Sequence, residues 1–255
     1  MQLAGSVAVI TGGASGLGAA TAHVFGAAGA QLALFDLNAE AGQALAAQFG
    51  THGLFVETDV TNSEDVQRAL TQVQERFGSI HIVINCAGIA TAERVIGRQG
   101  PLPLERFERV IRINLVGTFN VIRLAAAHMM QNAPNAEGER GVIINTASVA
   151  AFDGQIGQPA YAASKAGVAG ITLPIAREFA SHGIRVVAIA PGVFDTPMVA
   201  GLPEPARQAL SAVVPFPKRL GRPDEYAALA RHIVENVMLN GETIRLDGAL
   251  RMAPR

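Results

Sequence analysis

Tryptophan is missing from this chain of 255 residues, tyrosine and lysine occur only twice each, and cysteine occurs once, at Cys86. A single cysteine excludes an internal disulfide and fits a reducing compartment. Charge is also scarce: 16% of residues are charged and the net charge is −1. That balance gives no broad basic field for nucleic acid or an anionic membrane. So thin a charged surface points to burial of part of it against partner subunits. No apolar run reaches the ~20 residues of a membrane helix. The opening "MQLAGSVAVITGG" enters a strand pattern with neither a basic n-region nor an Arg/Ser-rich presequence, so the cytoplasm is the expected location. The histidines at 23, 52, 81, 128, 182 and 232 have no ligand spacing, and no metal site is expected.

What is abundant is aliphatic. Hydrophobic residues make up 49% of the chain, enough for one large α/β domain with a generous core. Short apolar runs at 6–11, 31–36, 53–58, 80–85, 141–147, 184–190 and 242–246 read as strands. Most are continuous rather than alternating, the pattern of strands covered on both faces. Ala-rich helical stretches lie between them, at roughly 16–28, 38–48, 62–76, 104–133, 160–181 and 224–238, with Asn62 or Ser63 as an N-cap candidate. The alternation predicts one doubly wound α/β domain over 1–255, a parallel sheet of about seven strands with helices on both faces. Two stretches break the rhythm: a polar loop at 91–103 and a Pro-rich segment at 191–222. The second follows a strand's carboxyl end, where ligands bind in such sheets, and is the candidate substrate lid.

The first strand runs into "TGGASGLG" (11–18), which opens a helix. Glycines there permit a sharp turn and close approach to a pyrophosphate, and the helix N-terminus offers free N–H groups. Strand, glycines and helix in this order make Gly12, Ser15, Gly16, Leu17 and Gly18 a candidate dinucleotide cradle of Rossmann type. Asp36 ends the second strand. A carboxylate there can accept both adenosine ribose hydroxyls and repels a 2′-phosphate, which favours NAD over NADP. The alternative, compatible role is a helix N-cap.

The residues "YAASK" (161–165) set Tyr161 and Lys165 on one helix face. Oxidising a secondary alcohol requires a base for the hydroxyl proton, and a free tyrosine titrates too high to serve at neutral pH. An ammonium ~4 Å away at an effective dielectric of ~20 favours phenolate by about 4 kcal/mol, roughly 3 pK units. The expectation is therefore a Tyr161 pKa brought toward 7 by Lys165.

Together these stretches, with "DV" (59–60), "NCAG" (85–88), "IN" (113–114), Ser148 and "PG" (191–192), resemble the short-chain dehydrogenase/reductase family across the whole chain. "GTFNVIRLAA", "RGVIINTASVAAFDGQIGQPAYAASKAG", "PFPKRLG" and "NGETIRLDGALRM" are most similar to its type 2 3-hydroxyacyl-CoA dehydrogenases, also called 17β-hydroxysteroid dehydrogenases type 10. The resemblance implies an NAD-dependent oxidoreductase of fatty acid metabolism, acting on a small-molecule 3-hydroxyacyl-CoA or similar alcohol as a homotetramer. Asp59 and Val60 would hold the adenine; Asn85, Ala87 and Gly88 would pass the adenosine ribose. Thr196 and the Val193 backbone would hold the nicotinamide carboxamide, following Pro191 and Gly192. Ser148 would bind the substrate oxygen, Lys165 would grip the nicotinamide ribose, and Asn114 would anchor a proton-relay water. A hydroxysteroid dehydrogenase, an acyl-carrier-protein ketoreductase and a catalytically silent NAD-binding scaffold are the alternatives.

Three further readings concern the substrate. Gln155, with Phe194, Met198 and Leu202, is a candidate for lining an acyl or sterol pocket. Lys218 and Arg219 are either a contact for a CoA phosphate or a solvated loop edge. Cys86, with no paired base, reads as a small buried residue rather than a nucleophile.

Overall fold

The computed structural model describes residues 1–201 and 204–254, apart from the side chains at 198 and 205–207, so Leu202 and the Met198 side chain lie outside the described residues. Seven parallel strands form the sheet: β1 (Val7–Thr11), β2 (Gln31–Asp36), β3 (Gly53–Glu57), β4 (Ile82–Asn85), β7 (Gly141–Thr146), β8 (Ile184–Pro191) and β9 (Thr243–Leu246). Their order is β3-β2-β1-β4-β7-β8-β9, matching the seven apolar runs. The order reverses between β1 and β4, which opens a crevice at their carboxyl ends.

Strand pleating divides the core in two. Val7, Val9, Ala33, Phe35, Val83 and Ile143 face one side, while Ala8, Ile10, Leu32, Leu34, Ile84 and Ile144 face the other. Helices α3 (Ser63–Phe77), α5 (Thr118–Met129) and α6 (Pro159–Phe179) cover the first face; α1 (Gly16–Ala27), α2 (Ala39–Ala47) and α9 (Pro223–Glu235) cover the second. Full burial of each such aliphatic side chain contributes about 1.5–3 kcal/mol, so near-continuous apolar strands are what two covered faces demand. Helix α3 shows the local logic: Val66, Ala69, Leu70 and Val73 fall on one stripe and are buried. Asn62 caps it by accepting the Glu64 and Asp65 N–H groups, and Gly78 at φ +81° ends it.

The long helix expected over 104–133 is built in three parts: α4 (Leu104–Ile111), a wider π-helical stretch Arg112–Gly117, and α5. Over Leu104–Met129 it is long and apolar enough to cross a membrane by composition (mean hydropathy 1.4), yet half of that window is buried against the sheet. The loop 91–103 contains a small antiparallel pair, β5 (Ile96–Gly97) and β6 (Gly100–Pro101). The segment 191–222 contains two short helices, α7 (Pro197–Ala200) and α8 (Glu204–Ala212).

Candidate active site

A cleft of about 1000 Å³ opens along the carboxyl ends of the strands. The turn after β1 forms one wall. A Cβ on Gly12 would stand 2.8 Å from the Ala87 nitrogen, and one on Gly18 would overlap the Gly12 carbonyl oxygen, so larger residues would push this turn out of the crevice. Ser15 stands at the N-cap of α1 but makes no side-chain bond to it, and the first turn holds no acidic residue. The positive end of a twelve-residue helix is thus left to a ligand anion. These residues fit the pyrophosphate of a nicotinamide dinucleotide.

Asp36 closes that end. Its Oδ2 accepts the Ala14 N–H and its Oδ1 accepts the Asn38 N–H, both at 3.0 Å, leaving one lone pair on each oxygen for hydroxyl donors. The cap of α2 is Asn38, whose Oδ1 accepts the Ala41 N–H. The N-cap reading of Asp36 therefore gives way to a tie between the glycine turn and β2.

Ser15, Gly16, Leu17, Asp59, Val60, Ala87, Gly88, Pro191, Gly192, Val193 and Thr196 join Gly12, Gly18 and Asp36 on the cleft wall. Asn85 does not. Its side chain is buried and donates to Asn145 Oδ1 across β4 and β7 at 2.9 Å, leaving Asn85 Oδ1 and Asn145 Nδ2 without partners. That amide pair joins the two central strands below the cleft.

Ser148, Tyr161 and Lys165 converge beyond the glycine turn. Ser148 sits where β7 runs out, and its Oγ accepts the Ala150 N–H at 3.1 Å, which leaves its O–H free to donate. Tyr161 and Lys165 come from the first turns of α6, started by Pro159 at a position that tolerates proline. Lys165 is 6% exposed, and its Nζ donates to the Thr146 carbonyl oxygen at 2.7 Å. It lies 5.9 Å from the Tyr161 ring centroid.

The electrostatics of this chain alone differ from the sequence expectation. Burial raises the Tyr161 pKa above its usual value, opposed by the hydrogen bond from Ser148. Burial lowers Lys165 to about 8. Desolvation disfavours phenolate and ammonium alike. The expected approach of the Tyr161 pKa toward 7 is absent here.

Asn114 lies in the π-helical stretch, fully buried. Its Oδ1 accepts the Ile89 N–H (2.8 Å), and its Nδ2 donates to the Ile89 carbonyl (2.9 Å) and to Ser164 Oγ (3.0 Å). It is a positioning residue that fastens the strand exit at Gly88–Ile89 to α6. Gly88 keeps the space between Asn114 and Lys165 open: a Cβ there would lie 3.1 Å from Asn114 Oδ1 and 3.6 Å from Lys165 Nζ.

Among the other candidates, Gln155 and Phe194 line the cleft. Arg219 gives both terminal nitrogens to Glu225, at 2.6 and 2.9 Å, and holds that carboxylate down at about 2, tying the end of the 191–222 segment to the first turn of α9. Burial pushes the Cys86 thiol up, against reactivity. Among the described residues, no group of three or more His, Cys, Asp or Glu could hold a metal. Sequence reasoning missed Thr146 and Tyr226. The Tyr226 hydroxyl, fully buried, bonds Thr146 Oγ1 at 2.8 Å; the available signal was that a tyrosine on an apolar helix face needs a partner for its hydroxyl.

A family model for short chain dehydrogenase matches residues 6–207. The chain belongs to that family. It is 55% identical over 251 residues to a 3-hydroxyacyl-CoA dehydrogenase type-2 of Drosophila melanogaster, covering 98% of each chain. It is 55% identical over 252 residues to one of Homo sapiens, covering 98% of this chain and 97% of that one. A crystal structure of a 3-hydroxyacyl-CoA dehydrogenase type-2 from Mycobacterium avium superposes with a TM-score of 0.93 at 42% identity, over 98% of both chains. As a short chain dehydrogenase, this protein is an oxidoreductase acting on a CH–OH group with a nicotinamide dinucleotide.

Proposed function

We propose that the protein is an NAD-dependent 3-hydroxyacyl-CoA dehydrogenase. The observation that carries the reading is the convergence of Ser148, Tyr161 and Lys165 at one end of a cleft whose other end is closed by Asp36. The names and whole-length similarity of the relatives supply the substrate class.

The cofactor, when bound, accepts hydride from the carbinol carbon and brings positive charge beside Tyr161. Everything else falls to the chain. Ser148 donates to the substrate oxygen and steadies the charge that develops there. Tyr161 Oη takes the hydroxyl proton. Lys165, desolvated and anchored on Thr146, favours the phenolate once charge has been added nearby. Asn114 keeps a polar path behind Lys165, through Ser164, whose own hydroxyl donates to the Tyr161 carbonyl. Asp36 supports NAD over NADP: backbone N–H groups fix both carboxylate oxygens at the ribose end of the cleft, and the glycine turn holds no basic residue to greet a 2′-phosphate.

The protein works as a tetramer, on this reading, with one interface across α5 and α6. Phe119 and Leu173 are each about half exposed there, as is Val116 in the π-helical stretch just before α5, on helices whose opposite faces fill the core. Its single unreactive thiol suits the cytoplasm. The test is kcat/KM with NAD⁺ and with NADP⁺ across a panel of 3-hydroxyacyl-CoAs and hydroxysteroids. The reading expects strong preference for NAD⁺ and for the CoA esters; preference for NADP⁺ or for the steroids overturns it.

A further inference from the structure

The substrate end of the cleft has a wall that none of this chemistry uses. After β9 the chain turns at Asp247–Leu250 and runs along the 152–158 loop, which joins Ser148 to α6. The Ile156 N–H donates to the Pro254 carbonyl at 3.0 Å, and Gln155 Nε2 donates to the Ala253 carbonyl at 2.9 Å. Arg245 clamps the two pieces together: its Nη2 reaches Asp153 Oδ2 at 2.6 Å and the Leu250 carbonyl at 3.0 Å, and its guanidinium lies 5.2 Å from the Phe152 ring centroid. Met252, immediately before the paired residues, lines the cleft with Gln155, Ser148 and Tyr161.

Sheet order says which end this is. Asp36 leaves β2, next to one edge of the sheet, whereas β9 is the opposite edge strand and β7 carries Ser148 between them. A dinucleotide running from Asp36 past the Ser148–Tyr161 hydroxyls to Pro191–Val193 occupies the β2-to-β8 side. An organic group on the alcohol carbon that extends toward β9 runs against the wall that Met252 lines. A thioether on three rotatable bonds makes an adaptable apolar stop.

We infer that Met252 is a specificity-determining residue that limits the length of the acyl group beyond the carbinol carbon, and that Gln155 positions it through the Ala253 carbonyl. The inference rests on the 3-hydroxyacyl-CoA reading above. It also revises the role of Gln155, whose amide N–H holds the wall rather than the substrate.

The test uses the full chain with NAD⁺ and two 3-hydroxyacyl-CoAs, one of four and one of eight acyl carbons. The readout is the ratio of kcat/KM for the longer over the shorter ester. Met252→Ala is expected to raise this ratio about tenfold and Met252→Phe to lower it, with the KM for NAD⁺ constant to within about twofold. Gln155→Glu keeps the size of the side chain but has no N–H for the Ala253 carbonyl, and it should move the ratio in the same direction as Met252→Ala. A ratio within about twofold of wild type in both Met252 variants overturns the inference alone. A wild-type protein that oxidises neither ester overturns the substrate reading, and this inference with it.

Discussion

Lys165 donates to the carbonyl oxygen of Thr146 at 2.7 Å, and Thr146 lies two residues before Ser148. One hydrogen bond therefore joins the helix that carries the tyrosine–lysine pair to the strand end that carries the serine. It also gives a buried ammonium a partner of fixed position, without a compensating carboxylate that would hold the lysine pKa up.

The stability of the chain records that choice. Burial lowers Lys165 from 10.5 to about 8, so between those values the unfolded chain holds the proton more tightly than the folded one. Stability from this group rises with pH through that window and is smallest below it. In Lys165→Met the group is gone, while Tyr161, Tyr226 and Cys86 titrate in both proteins. Denaturant midpoints measured across pH 8 to 10.5 should shift the difference toward wild type by about 3 kcal/mol. A difference that does not vary with pH would contradict the assigned shift.

Asp36 both ties the glycine turn and repels a 2′-phosphate. Asp36→Ala should raise the ratio of kcat/KM for NADP⁺ over NAD⁺ about 100-fold, partly by raising the KM for NAD⁺ as the ribose loses its acceptor. Steady-state kinetics with both dinucleotides check it.

Ser148 Oγ accepts the Ala150 N–H, and its hydroxyl lies in hydrogen-bond contact with Tyr161. Ser148→Ala should lower kcat about 10²- to 10³-fold, since a donor aimed at developing charge is lost. The KM for NAD⁺ should stay at its wild-type value, because the serine faces the substrate. A matched fall in cofactor affinity would mean that the serine serves the dinucleotide instead.

Phe119 is 47% exposed, on a helix face left open among the described residues. Phe119→Glu should reduce the solution mass by light scattering from about four times the 26.5 kDa chain mass to a smaller species. A wild-type mass of one chain would remove the proposed interface.

The sheet and the cradle were legible because they rest on local rules. Continuous apolar strands demand two covered faces, and a strand–glycine–helix sequence demands a turn against a ligand. Boundaries held where a cap was written into the chain, as at Asn62 and Gly78. What stayed hidden depends on partners far along the chain. Nothing local shows that the Asn85 side chain would pair with Asn145, sixty residues on. The π-helical stretch that aims Asn114 at Ile89 looks like ordinary amphipathic helix in a 3.6-residue pattern. The pKa of Tyr161 was misjudged because spacing gives the attraction of Lys165 but not the burial that opposes it. Met252 ends the stretch "NGETIRLDGALRM", whose resemblance marks the family but not which side chain turns into the cleft.

The proton-accepting role of Tyr161 is what joins the cleft, the lysine and the serine into one enzyme. A single-turnover rate of hydride transfer from a 3-hydroxyacyl-CoA to NAD⁺ in Tyr161→Phe, with NADH affinity followed by fluorescence, isolates that role. The rate should fall about 10³-fold or more while NADH affinity stays at its wild-type value. A variant that transfers hydride at close to the wild-type rate would show that the proton leaves by another group.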